Sequence, residues 1–348
     1  MKPLIEVRNL TIEFVVSNGV LRACDNVSFT IYKGEIVGVI GESGSGKSTL
    51  AAGILNLVQT PGKISSGEVY YYTENDEKIS MLDLNKDEFN EYRWSEIATV
   101  FQAAQNALNP VLRISEHFIE TVYAHTDKMS ESEILEKAEK VLEYVRLDKN
   151  VLGYYPHQLS GGMKQRVLIA LSLILDPKVI LLDEPTTALD VITQWYILDL
   201  LKKIHDELGI TLIFLTHDIA VISGIIDRIA VMYAGEIVEY GEVDNVFDEP
   251  SHPYTKGLLN AIPTLYDDVT QRKAIPGSPP NLTQKFEECK FSARCYMYLE
   301  GKCKGNKKKT ESLYTISENQ YTKCYTFAES LTKRETRGGE KDELIESR

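Results

Sequence analysis

Residues 41–49 have the side chains and spacing that suit the binding of a polyphosphate. The segment matches the pattern GxxxxGK[ST], in which glycines let successive backbone N–H groups point at one anion. Lys47 can reach the β- and γ-phosphates of a nucleotide, and Ser48 can bind Mg²⁺. A complete match favours a nucleotide site over an ordinary glycine-rich turn. The candidate nucleotide-binding residues are Gly41, Glu42, Ser43, Gly44, Ser45, Gly46, Lys47, Ser48 and Thr49.

Two adjacent carboxylates, Asp183 and Glu184, follow an apolar run later in the chain. Asp183 would hold Mg²⁺ through water, and Glu184 would polarise an attacking water as a general base. The alternative is a pair of acids that cap a strand without a chemical role. The phosphate-binding pattern elsewhere in the chain favours the catalytic hypothesis.

These residues need a parallel sheet to position them. Apolar runs at residues 35–40, 178–182 and 210–216 predict strands that are buried on both faces. Helical periodicity, clearest over residues 113–150, lies between the strand segments, so the sequence predicts an α/β domain with a mainly parallel sheet. A hairpin that turns at Ala234–Gly235 is predicted after the last of these strands.

Composition limits the classes of function. The chain has 348 residues, with 38 basic and 51 acidic side chains and a net charge of −13. This balance argues against a nucleic-acid binder, because binding a phosphate backbone needs a basic surface. No apolar stretch reaches the ~20 residues that span a bilayer, and the N-terminus has no secretory signal. We therefore expect any membrane role to depend on a partner.

Further motifs resemble those of the ATP-binding subunits of ABC transporters, and they occur in the same order. Residues 159–166, LSGGMKQR, are similar to the signature motif of that family, and Ser160 suits the N-cap of the helix that follows. Gln102 is similar to the family's Q-loop glutamine, Asp190 to its D-loop aspartate and His217 to its switch histidine. The resemblance covers roughly residues 4–265.

The resemblance implies a P-loop ATPase fold with a RecA-like core, a β-subdomain and a helical subdomain over about residues 104–172. The ATPase domain would occupy residues 1–241, and a small C-terminal extension with a cysteine cluster would occupy residues 242–348. ATP and Mg²⁺ would be the ligands, and two ATPase subunits would close over ATP.

The same resemblance implies a role for each site residue. Glu184, His217 and Gln102 would act in catalysis. Mg²⁺ would be held by Ser48, Gln102 and Asp183. The signature residues Ser160, Gly161, Gly162 and Gln165 would act in trans on the opposite subunit. Asp190 would be the D-loop residue. Phe14 lies where the family places the aromatic residue that stacks on adenine, and a core position is the alternative for it.

The C-terminal part of the sequence resembles one branch of this family in particular. Residues 252–263 and 276–282 resemble the oligopeptide and dipeptide importers, a branch that also includes nickel and some oligosaccharide importers. Residues 103–105 depart from the usual sequence of this branch, in a region that the resemblance implies would touch the membrane partner.

The branch implies an ATP-hydrolysing subunit of an importer at the cytoplasmic face of the cell membrane. Its partners would be two transmembrane permease subunits, a second ABC ATPase and an extracytoplasmic solute-binding protein. We expect peptide uptake, with nickel or oligosaccharide uptake as the alternative. A soluble ABC ATPase acting on ribosomes or DNA, or an inactive regulatory cassette, fits the sequence less well.

Four cysteines lie close to the C-terminus. They are Cys289, Cys295, Cys303 and Cys324. A late cluster in a chain without a secretory signal favours a metal site over a disulfide scaffold. The spacing resembles the C-terminal cluster that holds [4Fe–4S] in some members of the branch, and zinc sites usually have tighter pairs. We expect an iron–sulfur centre with a structural role. Zinc, free thiols or two disulfides are the alternatives.

Overall fold

The computed structural model describes residues 1–101, 107–262, 275–303, 313–317 and 320–329. The strands are β1 (Pro3–Val16), β2 (Gly19–Tyr32), β3 (Ile36–Ile40), β4 (Gly62–Tyr72), β5 (Lys78–Ser80), β6 (Ile97–Val100), β7 (Val179–Asp183), β8 (Thr211–Thr216), β9 (Arg228–Tyr233), β10 (Glu236–Glu242), β11 (Tyr314–Ser317) and β12 (Gln320–Thr322). The helices are α1 (Lys47–Ile54), α2 (Lys86–Tyr92), α3 (Ile114–Tyr123), α4 (Glu131–Tyr144), α5 (Gly161–Leu173), α6 (Val191–Leu208), α7 (Ile219–Ile222), α8 (Val243–Asp248), α9 (Pro253–Asn260) and α10 (Tyr296–Leu299).

An eight-stranded sheet in the order β11-β12-β10-β9-β3-β8-β7-β6 forms the centre of the fold. The five strands from β9 to β6 are parallel, and β10, β12 and β11 continue the sheet in antiparallel pairs. Every residue of β3, β7 and β8 is buried, as expected for strands covered on both faces. The predicted parallel sheet is confirmed, and so is the hairpin at Ala234–Gly235, which joins β9 to β10.

Two hydrophobic cores cover the faces of this sheet. Along β3, Ile36 and Ile40 belong to one core, while Val37 and Val39 belong to the other. The alternation follows from the two-residue period of a strand. The second core also contains the inner face of an antiparallel sheet in the order β2-β1-β4-β5.

Helices α3, α4 and α5 pack on one another next to the first core. The helical pattern over residues 113–150 is divided between α3 and α4. Ser130 ends the connection between them, because its hydroxyl accepts a hydrogen bond from the Glu133 N–H and the Glu133 side chain accepts one from the Ser130 N–H. Ser160 is the N-cap of α5, as predicted, and its hydroxyl accepts from the Met163 N–H at 3.3 Å.

The C-terminal region adds strands to the edge of the main sheet and does not only follow it in the chain. Strand β12 pairs with β10, so chain from beyond residue 313 extends the edge of the main sheet. The boundary predicted after residue 241 falls one residue before the end of β10, and the division into two domains stays a prediction. Within the described ranges, no helix combines the length and apolarity needed to span a membrane.

Candidate functional site

The glycine-rich phosphate loop, residues 41–46, connects β3 to α1. Its backbone passes very close to the carbonyl groups of neighbouring segments. Gly46 is the N-cap of α1 with a φ of 108°, and a Cβ there would lie 2.2 Å from the carbonyl oxygen of Ala23. A Cβ at Gly41 would lie 2.1 Å from the carbonyl oxygen of Met232. Side chains are excluded at both positions, so the loop can wrap with its N–H groups around an anion at the start of α1.

Lys47 is a buried cation within this loop. Its side chain is 6 % exposed, and Nζ donates to the carbonyl oxygens of Gly41 at 2.8 Å and Glu42 at 3.1 Å. Burial lowers the pKa of Lys47, and the charges of Glu184 and Asp183 partly oppose that shift. A phosphate group would supply the negative charge that this desolvated ammonium lacks.

Asp183 and Ser48 bring a carboxylate and a hydroxyl together beside the loop. Asp183 ends β7 and is 4 % exposed. Burial raises the pKa of Asp183, and its hydrogen bond with Ser48 acts in the opposite direction. Oxygen Oδ1 of Asp183 is buried without a hydrogen-bond partner. A hydroxyl beside a carboxylate with a free buried oxygen fits the oxygen ligands that Mg²⁺ prefers.

Glu184 lies immediately after β7, with a φ of 49°, which is a strained conformation for a residue with a side chain. His217 follows β8, and its Nδ1 lies 2.7 Å from Oε1 of Glu184. Thr187 donates its hydroxyl to Oε2 of Glu184, also at 2.7 Å. Burial alone would raise the pKa of Glu184, but the hydrogen bonds from Thr187 and His217 outweigh it, and the pKa is lowered. Glu184 is therefore an oriented, ionised carboxylate at neutral pH that can accept a proton from water.

The signature segment lies at the start of α5. Ser160 is exposed, and Gly161 and Gly162 are half-buried, so their backbone N–H groups at a helix N-terminus can reach a ligand outside this subunit. A Cβ at Gly162 would lie 2.8 Å from Cγ2 of Thr193, whose hydroxyl donates to Asp190 at 2.6 Å. The signature and the D-loop are thus packed together through Thr193.

Other predicted site residues have different surroundings. Gln165 is only 4 % exposed, so in this conformation its side chain does not lie on the same surface as Ser160. Phe14 is half-buried in β1, where it packs on Gly62 and on the core beneath the antiparallel sheet. Its role in stacking on adenine stays a prediction. Gln102 lies outside the described residues.

The four late cysteines line one small cavity of about 50 Å³, together with His252 and Met297. All of the cysteines are free thiols, so the two-disulfide alternative does not match this structure. Burial raises the pKa of Cys289 to about 12 and that of Cys324 to about 11. Among the described residues, no group of three or more His, Cys, Asp or Glu side chains is arranged to hold a metal ion.

Sequence reasoning missed three side chains that support this site. Thr187 could have been found from its hydroxyl three positions after Glu184, a spacing that allows a local hydrogen bond. Tyr254 and Arg294 both contact the phosphate loop at Glu42. They are far from Glu42 in the sequence, and nothing in the local pattern indicates the contact.

Comparison with known proteins gave matches along the chain. Residues 24–187 match the family described as ABC transporter, and residues 238–303 match the oligopeptide/dipeptide transporter C-terminal region. The dipeptide transport ATP-binding protein DppD of Caldanaerobacter subterraneus subsp. tengcongensis is 46 % identical over 89 % of this chain and 93 % of its own. The oligopeptide transport ATP-binding protein OppD of Salmonella typhimurium is 40 % identical over 85 % of this chain and 87 % of its own.

The fold also matches solved structures. A dimeric ATP-binding cassette in a post-hydrolysis state, bound to ADP and Pi, superposes with a TM-score of 0.58 at 35 % identity. The match covers 69 % of this chain and 98 % of that one.

Proposed function

This chain belongs to the ATP-binding subunits of ABC transporters that carry the oligopeptide/dipeptide transporter C-terminal region, and from that premise we propose that it powers the import of dipeptides or oligopeptides. The chain is an ATP hydrolase of this family. The observation that carries the proposal is the combination, in one chain, of the Glu184–His217 pair beside the phosphate loop with the C-terminal region of peptide transporters.

In the proposed mechanism the phosphate loop binds the β- and γ-phosphates of ATP, and Lys47 turns from the loop carbonyls toward them. Ser48 and Asp183 would hold Mg²⁺, which supplies charge neutralisation at the phosphates. Glu184 accepts a proton from the attacking water. His217 and Thr187 keep that carboxylate ionised and oriented.

The opposite subunit of an ATPase pair would complete the site. Ser160, Gly161 and Gly162 would contact the γ-phosphate bound by the partner, because they lie at an accessible helix N-terminus. ATP then bridges two subunits, and hydrolysis removes the bridging charge and releases them. The similarity to a cassette solved as a dimer supports this arrangement.

The transport partners would be two permease subunits and an extracytoplasmic solute-binding protein, with this chain at the cytoplasmic face of the membrane. The names of the relatives support peptides as the solute. Nickel and oligosaccharides are the alternative solutes within the branch.

Reconstitution in liposomes with the permease and receptor proteins tests this function. We expect ATP-dependent uptake of a labelled dipeptide, and no uptake with Glu184→Gln in place of the native chain. Uptake of Ni²⁺ or a labelled oligosaccharide instead of peptide, by the same proteoliposomes, would show that the peptide assignment is wrong.

We also propose that the four late cysteines hold a [4Fe–4S] cluster. Four thiols that line one cavity support a group with four protein ligands, and their spacing along the sequence is looser than the close pairs of most zinc sites. Zinc is the alternative. Either group would hold together a turn-rich segment that has few apolar residues of its own.

Metal analysis after anaerobic purification separates these alternatives. We expect visible absorbance and about four iron atoms per chain, both lost in Cys303→Ser. Cys24→Ser, which changes a buried cysteine outside the cavity, is the matched control and should keep the iron. One equivalent of zinc would establish the alternative, and metal-free protein would leave four free thiols.

A further inference from the structure

The C-terminal region holds the phosphate loop directly. Arg294, next to Cys295, makes a bidentate ion pair with Glu42, the second residue of the loop. Its two terminal nitrogens lie 2.8 and 2.9 Å from the two carboxylate oxygens of Glu42. The Arg294 side chain is 5 % exposed, while the Glu42 side chain is 27 % exposed, so the guanidinium is buried and the carboxylate is only partly shielded from water. Planar bidentate pairs of this kind fix orientation as well as charge.

All five N–H donors of Arg294 are used. Nε donates to the Pro276 carbonyl at 2.8 Å, and the two terminal nitrogens also donate to the Ile275 carbonyl at 3.5 Å and the Tyr233 hydroxyl at 3.4 Å. The guanidinium is therefore held from several sides before it reaches Glu42. A side chain fixed in this way positions its partner and does not merely follow it.

Tyr254 contacts the same loop residue through the backbone. Its hydroxyl accepts a hydrogen bond from the Glu42 N–H at 2.9 Å. The ring is fully buried, with centroids 4.5 Å from Tyr233 and 5.4 Å from Phe291. Tyr254 comes from α9, and Phe291 comes from the cysteine segment, residues 289–324. Two parts of the C-terminal region therefore converge beneath the loop.

Glu42 connects these contacts to the phosphate-binding atoms. Its carbonyl oxygen accepts a hydrogen bond from Nζ of Lys47 at 3.1 Å, and Ser45 N donates to the same oxygen. A shift of Glu42 would therefore move both the lysine and a loop N–H group. We propose that Arg294 and Tyr254 are positioning residues for ATP hydrolysis, which hold Glu42 so that the phosphate loop is preorganised for the nucleotide.

The inference rests on the proposed nucleotide site, and it is independent of the transported solute. Preorganisation lowers the cost of ordering the loop on binding, so its loss weakens binding more than it slows the chemical step. For Arg294→Gln in the full-length chain, we expect KM for ATP to rise about tenfold while kcat stays within about twofold. Calorimetry with a non-hydrolysable ATP analogue should give a matching loss of affinity.

A double-mutant cycle separates positioning through Glu42 from a general loss of structure. We expect Glu42→Gln to raise KM by a similar factor and the double variant Glu42→Gln/Arg294→Gln to add little more. Arg294→Lys should restore only part of the affinity, because an ammonium cannot pair with both carboxylate oxygens.

Lys323→Gln is the matched control. Lys323 is a buried cation of the same region, but it pairs with Glu236 outside the loop, at 3.0 Å. It should leave KM within about twofold of the native value. If Lys323→Gln raises KM as much as Arg294→Gln, or if the effect of Arg294→Gln persists undiminished in the Glu42→Gln chain, the positioning role is wrong.

Tyr254→Phe gives a second test that does not disturb the ion pair. It keeps the buried ring and removes only the hydroxyl that accepts from the Glu42 N–H, so it applies even where Arg294→Gln fails to fold. We expect KM to rise about threefold with kcat unchanged. An unchanged KM here would also contradict the inference. Failed peptide uptake with normal ATPase kinetics would affect only the transport proposal.

Discussion

Thr187 and His217 both hydrogen-bond the carboxylate of Glu184. Thr187 is on the same turn and fixes one oxygen, while His217 comes from the next strand and fixes the other. Because both bonds stabilise the ionised form, Glu184 stays ready to accept a proton at neutral pH. The strained backbone at Glu184 is consistent with a position selected for geometry.

Replacement of Glu184 by Gln should preserve ATP binding and reduce hydrolysis at least about 100-fold, because the amide cannot accept the proton. With ATP bound and not hydrolysed, the variant should form a stable pair, which light scattering would detect. Glu136→Gln, an exposed site in α4, is the control. A Glu184→Gln chain that stays monomeric at saturating ATP would contradict the proposed closure of two subunits.

Glu35, just before β3, should make the stability of the protein depend on pH. Burial raises its pKa from 4.5 to about 7, against the opposing effects of the Tyr32 N–H and Arg228, while nearby Asp227 adds to the rise. The folded state therefore binds this proton more tightly than the unfolded state does. Its stabilising contribution is full below pH 4.5 and is lost as the pH rises toward 7.

Glu35→Gln should remove about 3 kcal/mol of pH dependence from the free energy of unfolding between pH 4.5 and 7.5. Urea unfolding at several pH values would measure the difference from the native chain. Glu131→Gln, in the exposed first turn of α4, should leave the pH dependence unchanged. Parallel stability curves for Glu35→Gln and the native chain would show that Glu35 does not titrate in this range.

At the scale of elements, one buried carboxylate joins β10 to α9 and β12. Glu239 is 0 % exposed and accepts from the Ser251 N–H at 2.8 Å, the His252 N–H at 2.9 Å and the Gln320 amide at 3.2 Å. His252 in turn is the N-cap of α9. The entry of α9, which carries Tyr254, thus depends on a residue of the main sheet.

Glu239→Ala should lower the free energy of unfolding by about 3 kcal/mol or more, because several buried donors lose their acceptor. Glu239→Gln keeps one acceptor oxygen and should cost about half as much. Urea unfolding of the three chains would measure both. A loss below about 1 kcal/mol for Glu239→Ala would mean that water or another acceptor replaces the carboxylate.

The elements around the phosphates were predictable because their signals are local. Apolar runs mark β3, β7 and β8, and the loop pattern lies between β3 and α1, so neighbours in sequence identify Lys47. The contact between Arg294 and Glu42 joins positions 252 residues apart. No local pattern encodes it, because it exists only after α9 and the cysteine segment pack against β9. The four cysteines are an intermediate case, since the sequence groups them but does not give their separations in space.

On the scale of the whole molecule, the cysteine segment and Glu184, the proposed catalytic carboxylate, lie in different parts of the fold. Glu184 and His217 follow strands in the middle of the sheet, and Cys295 lies in the C-terminal region. Arg294, which is next to Cys295, contacts the phosphate loop at Glu42 and does not contact Glu184. A disturbance at the cysteines should therefore reach ATP affinity before it reaches the chemical step.

Cys295→Ser should speed proteolysis within residues 275–303 and raise KM for ATP severalfold, with kcat within about twofold of the native value. Ala293→Ser, which introduces the same side chain at an exposed neighbour, is the control. Limited digestion and steady-state ATPase assays would measure both effects. A loss of kcat with unchanged proteolysis would show that the cysteines take part in turnover and are not structural.

The pairing of β12 with β10 has a consequence for any shortened form of the protein. A polypeptide that stopped after Glu242 would keep every residue of β10 but leave its outer row of N–H and C=O groups without the neighbour that β12 provides. Exposed strand edges of this kind pair with strands from other molecules. Strand β12 therefore also protects β10 from pairing with other molecules, and this effect does not depend on what the cysteines bind.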